Sequence, residues 1–262
     1  MGQLSAGLVS NFLEGKRGLV VGVANEHSIA AGCARAFHAG GAEVALTYQN
    51  EKARRFVEPV AADIEAPLFL PLDVTQPEQM DNVFRAIGEQ WGRLDFLLHS
   101  IAFCPKDDLH GRVTDCSKEG FALAMDISVH SLIRLAKAAE PLMTDGGTIL
   151  TMSYHGAEKV VDHYNIMGPV KAALESTVRY LSVELGDRNI RVNSISPGPL
   201  ATRAASGIDH FDELIEDAKA RAPLHRITTV EEVGAMASCL VADFARSVSG
   251  NTAYIDGGHH IV

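Results

Sequence analysis

The feature that most constrains this chain is a repeated alternation of short apolar runs with segments of helical periodicity. The runs cover 18–24, 43–48, 68–71, 94–100, 148–153, 191–196 and 252–255, and the first, GLVVGVA, is apolar on both faces. A strand of that kind must be covered on both sides, which a parallel sheet achieves with its crossover helices. Between the runs, residues 28–39, 51–64, 77–91, 118–143, 167–185 and 230–242 carry helical spacing. The alternation predicts an α/β fold: a Rossmann-type, doubly wound parallel sheet of about seven strands with helices on both faces. No Pro/Ser-rich linker and no internal repeat divides the 262 residues, so a single domain over 1–262 is expected.

Local punctuation supports these boundaries. Ser28 is expected to cap the first helix and Gly40-Gly41 to end it. Thr75 is expected to cap the third, with Pro77 in its first turn, and Gly146-Gly147 follows the fourth. The stretch 198–223 fits no strand. It holds an amphipathic piece at 211–220 between Gly207 and Pro223. Its position after the carboxyl end of the sixth strand is where a lid over a ligand belongs.

Composition narrows the function classes. With 47% hydrophobic residues the chain can bury a sizeable core, and a formal charge of −10 argues against nucleic acid, whose phosphates need a basic face. Residues 1–12 lack a cationic segment followed by a long apolar stretch, and no run approaches the roughly 20 apolar residues that span a bilayer. A cytoplasmic location without membrane insertion is expected. Cys33, Cys104, Cys116 and Cys239 form no CxxC pair, which suits free thiols in a reducing compartment. The 11 histidines show no HExxH or comparable ligand spacing, so no metal is expected.

The loop after the first strand runs from Gly22 to Gly32 without the usual GxGxxG pattern. The physical requirements of a dinucleotide site are still present. Gly22 lets backbone approach a pyrophosphate, Ser28 opens a helix whose N-terminus favours negative charge, and Gly32 permits close packing of that helix on the sheet. The second strand ends at Tyr48-Gln49-Asn50, with neutral Gln49 where NAD-binding folds often place an acid. Lys52, Arg54 and Arg55 either meet a 2′-phosphate or form a solvated helix face. The second account is the plainer one, so NADH is favoured and NADPH stays open.

The chemistry-bearing residues follow the fifth strand. Ordinary short-chain dehydrogenases use Tyr-x3-Lys, but Glu158 stands four beyond Tyr154 and Gly168 four beyond Tyr164. Lys171 is seven after Tyr164. On a helix that spacing lets both face one cleft, drifting only about 20° apart. Pro169 would break such a helix unless it begins near 166–168, leaving Tyr164 at its entrance. A protonated phenol can donate to a developing oxyanion, while a nearby ammonium favours phenolate character and can hold ribose hydroxyls. From spacing alone, a packed ring at Tyr164 and a surface charge at Lys171 is the plainer account.

Taken together, Gly22-x5-Ser28-Ile29-Ala30, Leu46-Thr47-Tyr48-Gln49-Asn50, His99-Ser100-Ile101-Ala102-Phe103, Tyr154-x9-Tyr164-x6-Lys171 and Ala204-Ala205-Ser206-Gly207-Ile208 resemble the bacterial enoyl-acyl-carrier-protein reductases. These are a divergent, NADH-dependent branch of the short-chain dehydrogenases. The resemblance covers nearly the whole chain, and the two-tyrosine spacing with its distant lysine is its most specific part. It implies reduction of a trans-2-enoyl thioester, the final reductive step of fatty-acid elongation, with Tyr164, Lys171 and Tyr154 as the catalytic set. It implies cofactor contacts at Gly22, Ser28, Ile29, Gln49, Asp73, Val74, Ser100, Ile101, Ala102, Met152 and Lys171, and at Leu200, Ala201, Thr202, Arg203 and Ala204. Cys104, Tyr154 and Tyr164 would line the substrate site.

Several residues depart from the family pattern. Ala102 stands where a glycine is common, His155 replaces an apolar neighbour of the first tyrosine, and Ser196-Pro197-Gly198-Pro199 carries an extra proline. The lid reads Asp209-His210-Phe211-Asp212-Glu213 where relatives place the bases that suit an acidic carrier protein. Like charges there would repel the carrier unless Lys219, Arg221 and Arg226 compensate. The acyl group is therefore expected on acyl carrier protein or on coenzyme A. Two other readings are a carbonyl–alcohol short-chain dehydrogenase, opposed by the missing Tyr-x3-Lys, and a non-catalytic dinucleotide sensor, opposed by retention of Tyr164 and Lys171. The resemblance also implies a homotetramer, for which Phe121, Met125, Leu132, Val178 and Leu181 could supply faces, although core packing explains the same stripes.

Overall fold

The computed structural model describes residues 11–200 and 211–262. In chain order its elements are β1 (Arg17–Val21), α1 (Ile29–Ala39), β2 (Glu43–Tyr48), α2 (Glu51–Asp63), β3 (Phe69–Pro71), α3 (Pro77–Trp91) and β4 (Phe96–His99). There follow α4 (Lys106–Leu109), α5 (Lys118–Met125), α6 (Ser131–Ala139), β5 (Gly147–Met152), α7 (Met167–Glu184), β6 (Ile190–Pro197), α8 (Phe211–Arg221), α9 (Val230–Val241) and β7 (Thr252–Ile255). The sheet has seven strands in the order β3-β2-β1-β4-β5-β6-β7, each pair parallel.

Side-chain alternation along each strand creates two cores. Leu19, Leu97, Ile149 and Val192 face one side, under α3, α6 and α7. Val20, Leu98, Leu150 and Ile195 face the other, under α1, α2 and α9. Both faces of the central strands are therefore apolar, which is why their sequences read as continuous hydrophobic runs. Among the described residues no helix is long and apolar enough to cross a membrane. All four cysteines are unbridged.

Four expectations need correction. The helix expected over 118–143 is interrupted: a π-helical turn, Asp126–His130, separates α5 from α6, and a 3-10 turn, Glu140–Leu142, follows. Serine side chains accompany the break. Ser131 Oγ donates to the Ile127 carbonyl at 2.6 Å, and Ser128 Oγ bonds both the N–H and the carbonyl of Phe103. Such side chains compete with the regular ladder. Thr75 does not cap α3. Its hydroxyl donates to Asp73 at 2.7 Å, and the cap position is Gln76, without a side-chain bond.

Gly32 serves a helix crossing rather than helix-on-sheet packing. A β-carbon there would lie 2.7 Å from the Val230 carbonyl oxygen, and one on Gly234 would lie 2.6 Å from that of Gly32, so α1 and α9 meet backbone to backbone. Finally, Leu132, Val178 and Leu181 belong to the core, and Met125 packs against it. The large apolar side chains left exposed on these helices are Phe121, Leu123, Ile133, Tyr180 and Val183.

Candidate active site

The strand order reverses between β1 and β4, and ligands of open parallel sheets bind outside the carboxyl ends at such a switch. Gly22 leaves β1 there with φ +103°, and a β-carbon on it would stand 2.1 Å from the Ser100 carbonyl oxygen, so only glycine fits. Ser100 donates its N–H to Val21 at 2.9 Å, closing the turn. Ser28 caps α1: its hydroxyl accepts from the Ala31 N–H and donates to the Asn25 carbonyl at 2.8 Å. Ile29 opens the helix, whose N-terminus thus lies beside the switch point, a position that favours negative charge.

The other cofactor candidates follow along the same edge. Gln49 is exposed directly after β2, and Asn50 caps α2 by accepting from the Ala53 N–H at 3.0 Å. Arg54 is engaged on its own helix, 3.8 Å from Glu51 and 3.9 Å from Glu58, and lies over the Tyr48 ring. Arg55 lies over Phe56. These bases form the solvated helix face rather than a preformed phosphate site. After β3, Asp73 accepts from the Thr75 N–H at 2.9 Å, and Val74 is buried in the core. Ile101 and Ala102 follow Ser100 beyond β4, and Met152 ends β5. Leu200 is buried in the second core. Ala201, Thr202, Arg203 and Ala204 lie outside the described residues.

The tyrosines and the lysine converge at the end of β5. α7 begins at Met167, so Pro169 sits harmlessly in its first turn and Tyr164 precedes the regular helix. The turn is set by His163 and Asn165, both with positive φ, and Asn165 donates to the Leu109 carbonyl at 2.7 Å. Tyr164 thereby meets Tyr154 edge to face, centroids 4.9 Å apart and planes at 64°. Ile101, Cys104 and Tyr154 pack against the cluster that holds Tyr164, which joins the nicotinamide-side and substrate-side candidates.

Lys171 is no surface charge. It is 5% exposed, and its ammonium donates to the Met152 carbonyl at 2.6 Å. Burial lowers its pKa to about 8, with the Glu175 carboxylate opposing that fall. Tyr164 moves opposite to the expected phenolate character: burial first, then Tyr154, raises its pKa well above the ordinary phenol. Tyr154 is raised as well, by burial and then by Asp217 and Asp256. Both phenols stay protonated at neutral pH. Burial pushes the Cys104 thiol up to about 11, which keeps it protonated at neutral pH and unsuited to act as a nucleophile.

Tyr154 also lines a cavity of about 330 Å³. Its other walls include Val161 from the loop before α7, Leu214, Asp217 and Arg221 from α8, and His259. That volume is at the small end for a ligand pocket. His155 meets Tyr154 on one side and His259 on the other, and His260 stacks on Tyr254 while its Nδ1 lies 2.9 Å from Asp256. Of the paired tail histidines, His259 thus lines the cavity, while His260 packs beside it on Tyr254 and Asp256.

Three contributors were not singled out from sequence. Gly156 is one, because a β-carbon there would lie 2.6 Å from Tyr164 Cδ1 and 3.3 Å from Tyr154 Cδ1. Ser128 is another, holding the Phe103 backbone from the π turn. The third is Glu175, four residues beyond Lys171, a spacing that itself puts the two on one helix face.

A family model described as "Enoyl-(Acyl carrier protein) reductase" matches residues 22–260. An NADH-type enoyl-acyl-carrier-protein reductase of Rhizobium meliloti is 49% identical, covering 97% of this chain and 93% of its own length. The crystal structure of an enoyl-acyl-carrier-protein reductase from Anaplasma phagocytophilum in complex with NAD superimposes with a TM-score of 0.93 at 48% identity, covering 97% of each chain. A Bacillus cereus enoyl-acyl-carrier-protein reductase, solved with NADP+ and an indole naphthyridinone, gives 0.94 at 44% identity, covering 96% of this chain and 99% of its own.

Proposed function

The chain belongs to the enoyl-acyl-carrier-protein reductase family, and from that premise we propose that it reduces trans-2-enoyl thioesters with NADH, the last reductive step of fatty-acid elongation. The observation that carries this reading is the convergence of Tyr154, Tyr164 and a buried Lys171 at the carboxyl end of β5. NADH, when bound, supplies hydride to the substrate β-carbon. Tyr164 donates a hydrogen bond from its hydroxyl to the thioester oxygen, on which the enolate charge gathers, and the α-carbon then takes a proton from solvent water. The raised pKa of Tyr164 suits this role, because a donor must keep its hydrogen while the oxyanion forms. Tyr154 lines the substrate site and braces the Tyr164 ring, with Cys104 beside it.

Lys171 holds the nicotinamide ribose hydroxyls. Gly22, Ser28 and Ile29 form the pyrophosphate cradle, Gln49 takes the adenosine ribose, and Asp73 and Val74 take the adenine. Ser100, Ile101, Ala102, Met152 and the segment 200–204 complete the nicotinamide and phosphate side. The residues fit a dinucleotide: a glycine turn that no β-carbon can occupy abuts a capped helix N-terminus, and a buried ammonium lies along the same sheet edge. The expected lid, 198–223, runs in part outside the described residues; its described helix, α8, supplies a wall of the cavity beside Tyr154.

Carrier recognition is the finer part of the reading. Arg226 is committed to Glu232 at 2.9 and 2.7 Å, and Arg221 lies 3.4 Å from Asp217, so two of the three bases expected to offset the acidic stretch are already engaged, while Lys219 stands on α8 itself. This supports an altered docking of the carrier away from α8, with the acyl group on acyl carrier protein or on coenzyme A. The exposed Phe121, Leu123, Ile133, Tyr180 and Val183 are suited to subunit contacts in a cytoplasmic homotetramer.

The test follows NADH oxidation with crotonyl-coenzyme A, crotonyl-carrier protein and an acetoacetyl thioester. Consumption of either crotonyl substrate is expected. Turnover of the ketone alone overturns the reaction, and strong preference for the carrier overturns the altered-recognition claim.

A further inference from the structure

Lys171 and Glu175 lie one helical turn apart on α7, and each holds a different residue at the end of β5. The Lys171 ammonium donates to the carbonyl of Met152 at 2.6 Å. The hydroxyl of the next residue, Ser153, donates to Glu175 Oε1 in a short hydrogen bond. Tyr154 comes immediately after. All three polar side chains are nearly sealed: Lys171, Glu175 and Ser153 are each 5% exposed.

A buried ammonium and a buried carboxylate are each costly to desolvate unless compensated. Nothing in the fold requires a charge beneath β5, and an apolar residue at 175 would fill the α7 stripe formed by Leu174 and Val178. The charges that face Lys171 are few. His99 from β4 is neutral, its pKa lowered to about 3 by burial and then by Lys171 itself. Glu175 provides the compensating negative charge: burial, and then Glu158, push its pKa up, while the Ser153 hydrogen bond, Arg179 and Lys171 hold the carboxylate form against that rise.

We propose that Glu175 is the positioning residue for Lys171, acting with Ser153 to clamp the end of β5 whose carbonyl anchors the amine and to set a fixed negative charge near it. The inference rests on the reading of Lys171 as the amine that binds the nicotinamide ribose. Glu175 itself touches neither cofactor nor substrate.

The experiment measures NADH affinity against pH by fluorescence titration, with melting temperature, for the full-length wild type and for Glu175→Gln, Glu175→Asp and Ser153→Ala. Wild-type affinity is expected to weaken above about pH 8, where Lys171 loses its proton. Glu175→Gln keeps an acceptor for Ser153 but removes the charge, so this limb moves down by roughly one pH unit, weakening binding about fivefold at pH 8. Glu175→Asp keeps the charge on a shorter stem, and Ser153→Ala keeps it untethered. Both are expected to retain the wild-type limb with binding weakened severalfold at every pH.

A Gln variant with wild-type limb and affinity, whatever its melting temperature, overturns the proposal and leaves Glu175 a packing residue. If that variant does not fold, an Asp variant indistinguishable from wild type overturns the clamp. Because the readout needs no enoyl thioester, a moved limb in a protein that reduces no enoyl substrate sinks the proposed reaction and not this pairing.

Discussion

Gly156 and Tyr164 touch so closely that a β-carbon on the glycine would sit 2.6 Å from the tyrosine Cδ1. The glycine φ is ordinary, so the requirement is space alone. Gly156→Ala is therefore expected to push the Tyr164 ring aside while leaving the β1–α1 turn untouched. Displacement of a reacting group by about 1 Å costs on the order of 100-fold in rate. Steady-state assay should show that loss in kcat with NADH affinity unchanged. Gly186→Ala, where nothing lies within 4 Å, is the control and should behave as wild type. Equal activity of the two variants would mean that Tyr164 has no stringent position.

Tyr164→Phe separates chemistry from binding. The ring packs on Tyr154 through its carbon frame, so Phe preserves that contact and deletes only the donor. Removal of one oxyanion donor typically lowers kcat by about 100- to 1000-fold. NADH affinity, which the proposal assigns to Lys171 and the α1 turn, should stay within about twofold of wild type. A parallel loss of turnover and cofactor affinity would make Tyr164 a structural tyrosine instead.

The fold was legible because burial on both faces writes itself into the strands as unbroken apolar runs. The ends were less so. Leu94 and Ser100 were expected in β4 yet lie just outside the strand, Phe96–His99, although the Ser100 N–H still bonds Val21 of β1. The break near Ser128 left no periodic signature, since a π turn keeps the same amphipathic residues and alters only the backbone. Lys171 was readable as chemistry through resemblance but not as a buried group. Composition favours an exposed lysine, and only its place on the stripe Met167, Leu174, Val178, with Glu175 beside it, signals otherwise. The tail histidines gave no metal spacing, and their aromatic stacking needs tertiary contact to be seen.

His99 predicts an acid limb. Its Nε2 lies 2.8 Å from Ser131 Oγ, whose hydrogen is committed to the Ile127 carbonyl, so Nε2 carries the proton. Nδ1 then accepts from Thr151 Oγ1 at 2.8 Å. The ring is neutral and fully buried, with a pKa lowered to about 3. The unfolded chain, titrating near the ordinary value, binds the extra proton first. Stability is complete above about pH 6.5 and declines as pH falls from there toward 3, by on the order of 4 kcal/mol from this group. Urea unfolding of His99→Gln should show a shallower decline between pH 6.5 and 4 than wild type. Parallel slopes would assign the acid sensitivity to other groups.

Two glycine-to-alanine changes inside helices should have opposite signs. Alanine normally stabilises a helix interior by about 0.5–1 kcal/mol relative to glycine. At Gly88 in α3 the new methyl meets only Leu142 Cδ2 at 3.6 Å, so Gly88→Ala should realise that gain. At Gly32 the methyl would lie 2.7 Å from the Val230 carbonyl oxygen, and backbone cannot turn aside as a flexible side chain can. Relief requires α1 to lift off α9, opening the second core where Ala31, Val233 and Ala237 pack. Overpacking of this kind costs about 1–3 kcal/mol, which outweighs the helix gain. Differential scanning calorimetry should place Gly88→Ala above wild type and Gly32→Ala several degrees below. Because α1 also presents its N-terminus at the β1–β4 switch, Gly32→Ala should weaken NADH binding while Gly88→Ala leaves it unchanged. A Gly32→Ala protein as stable as wild type would show that the two helices are not held at backbone contact.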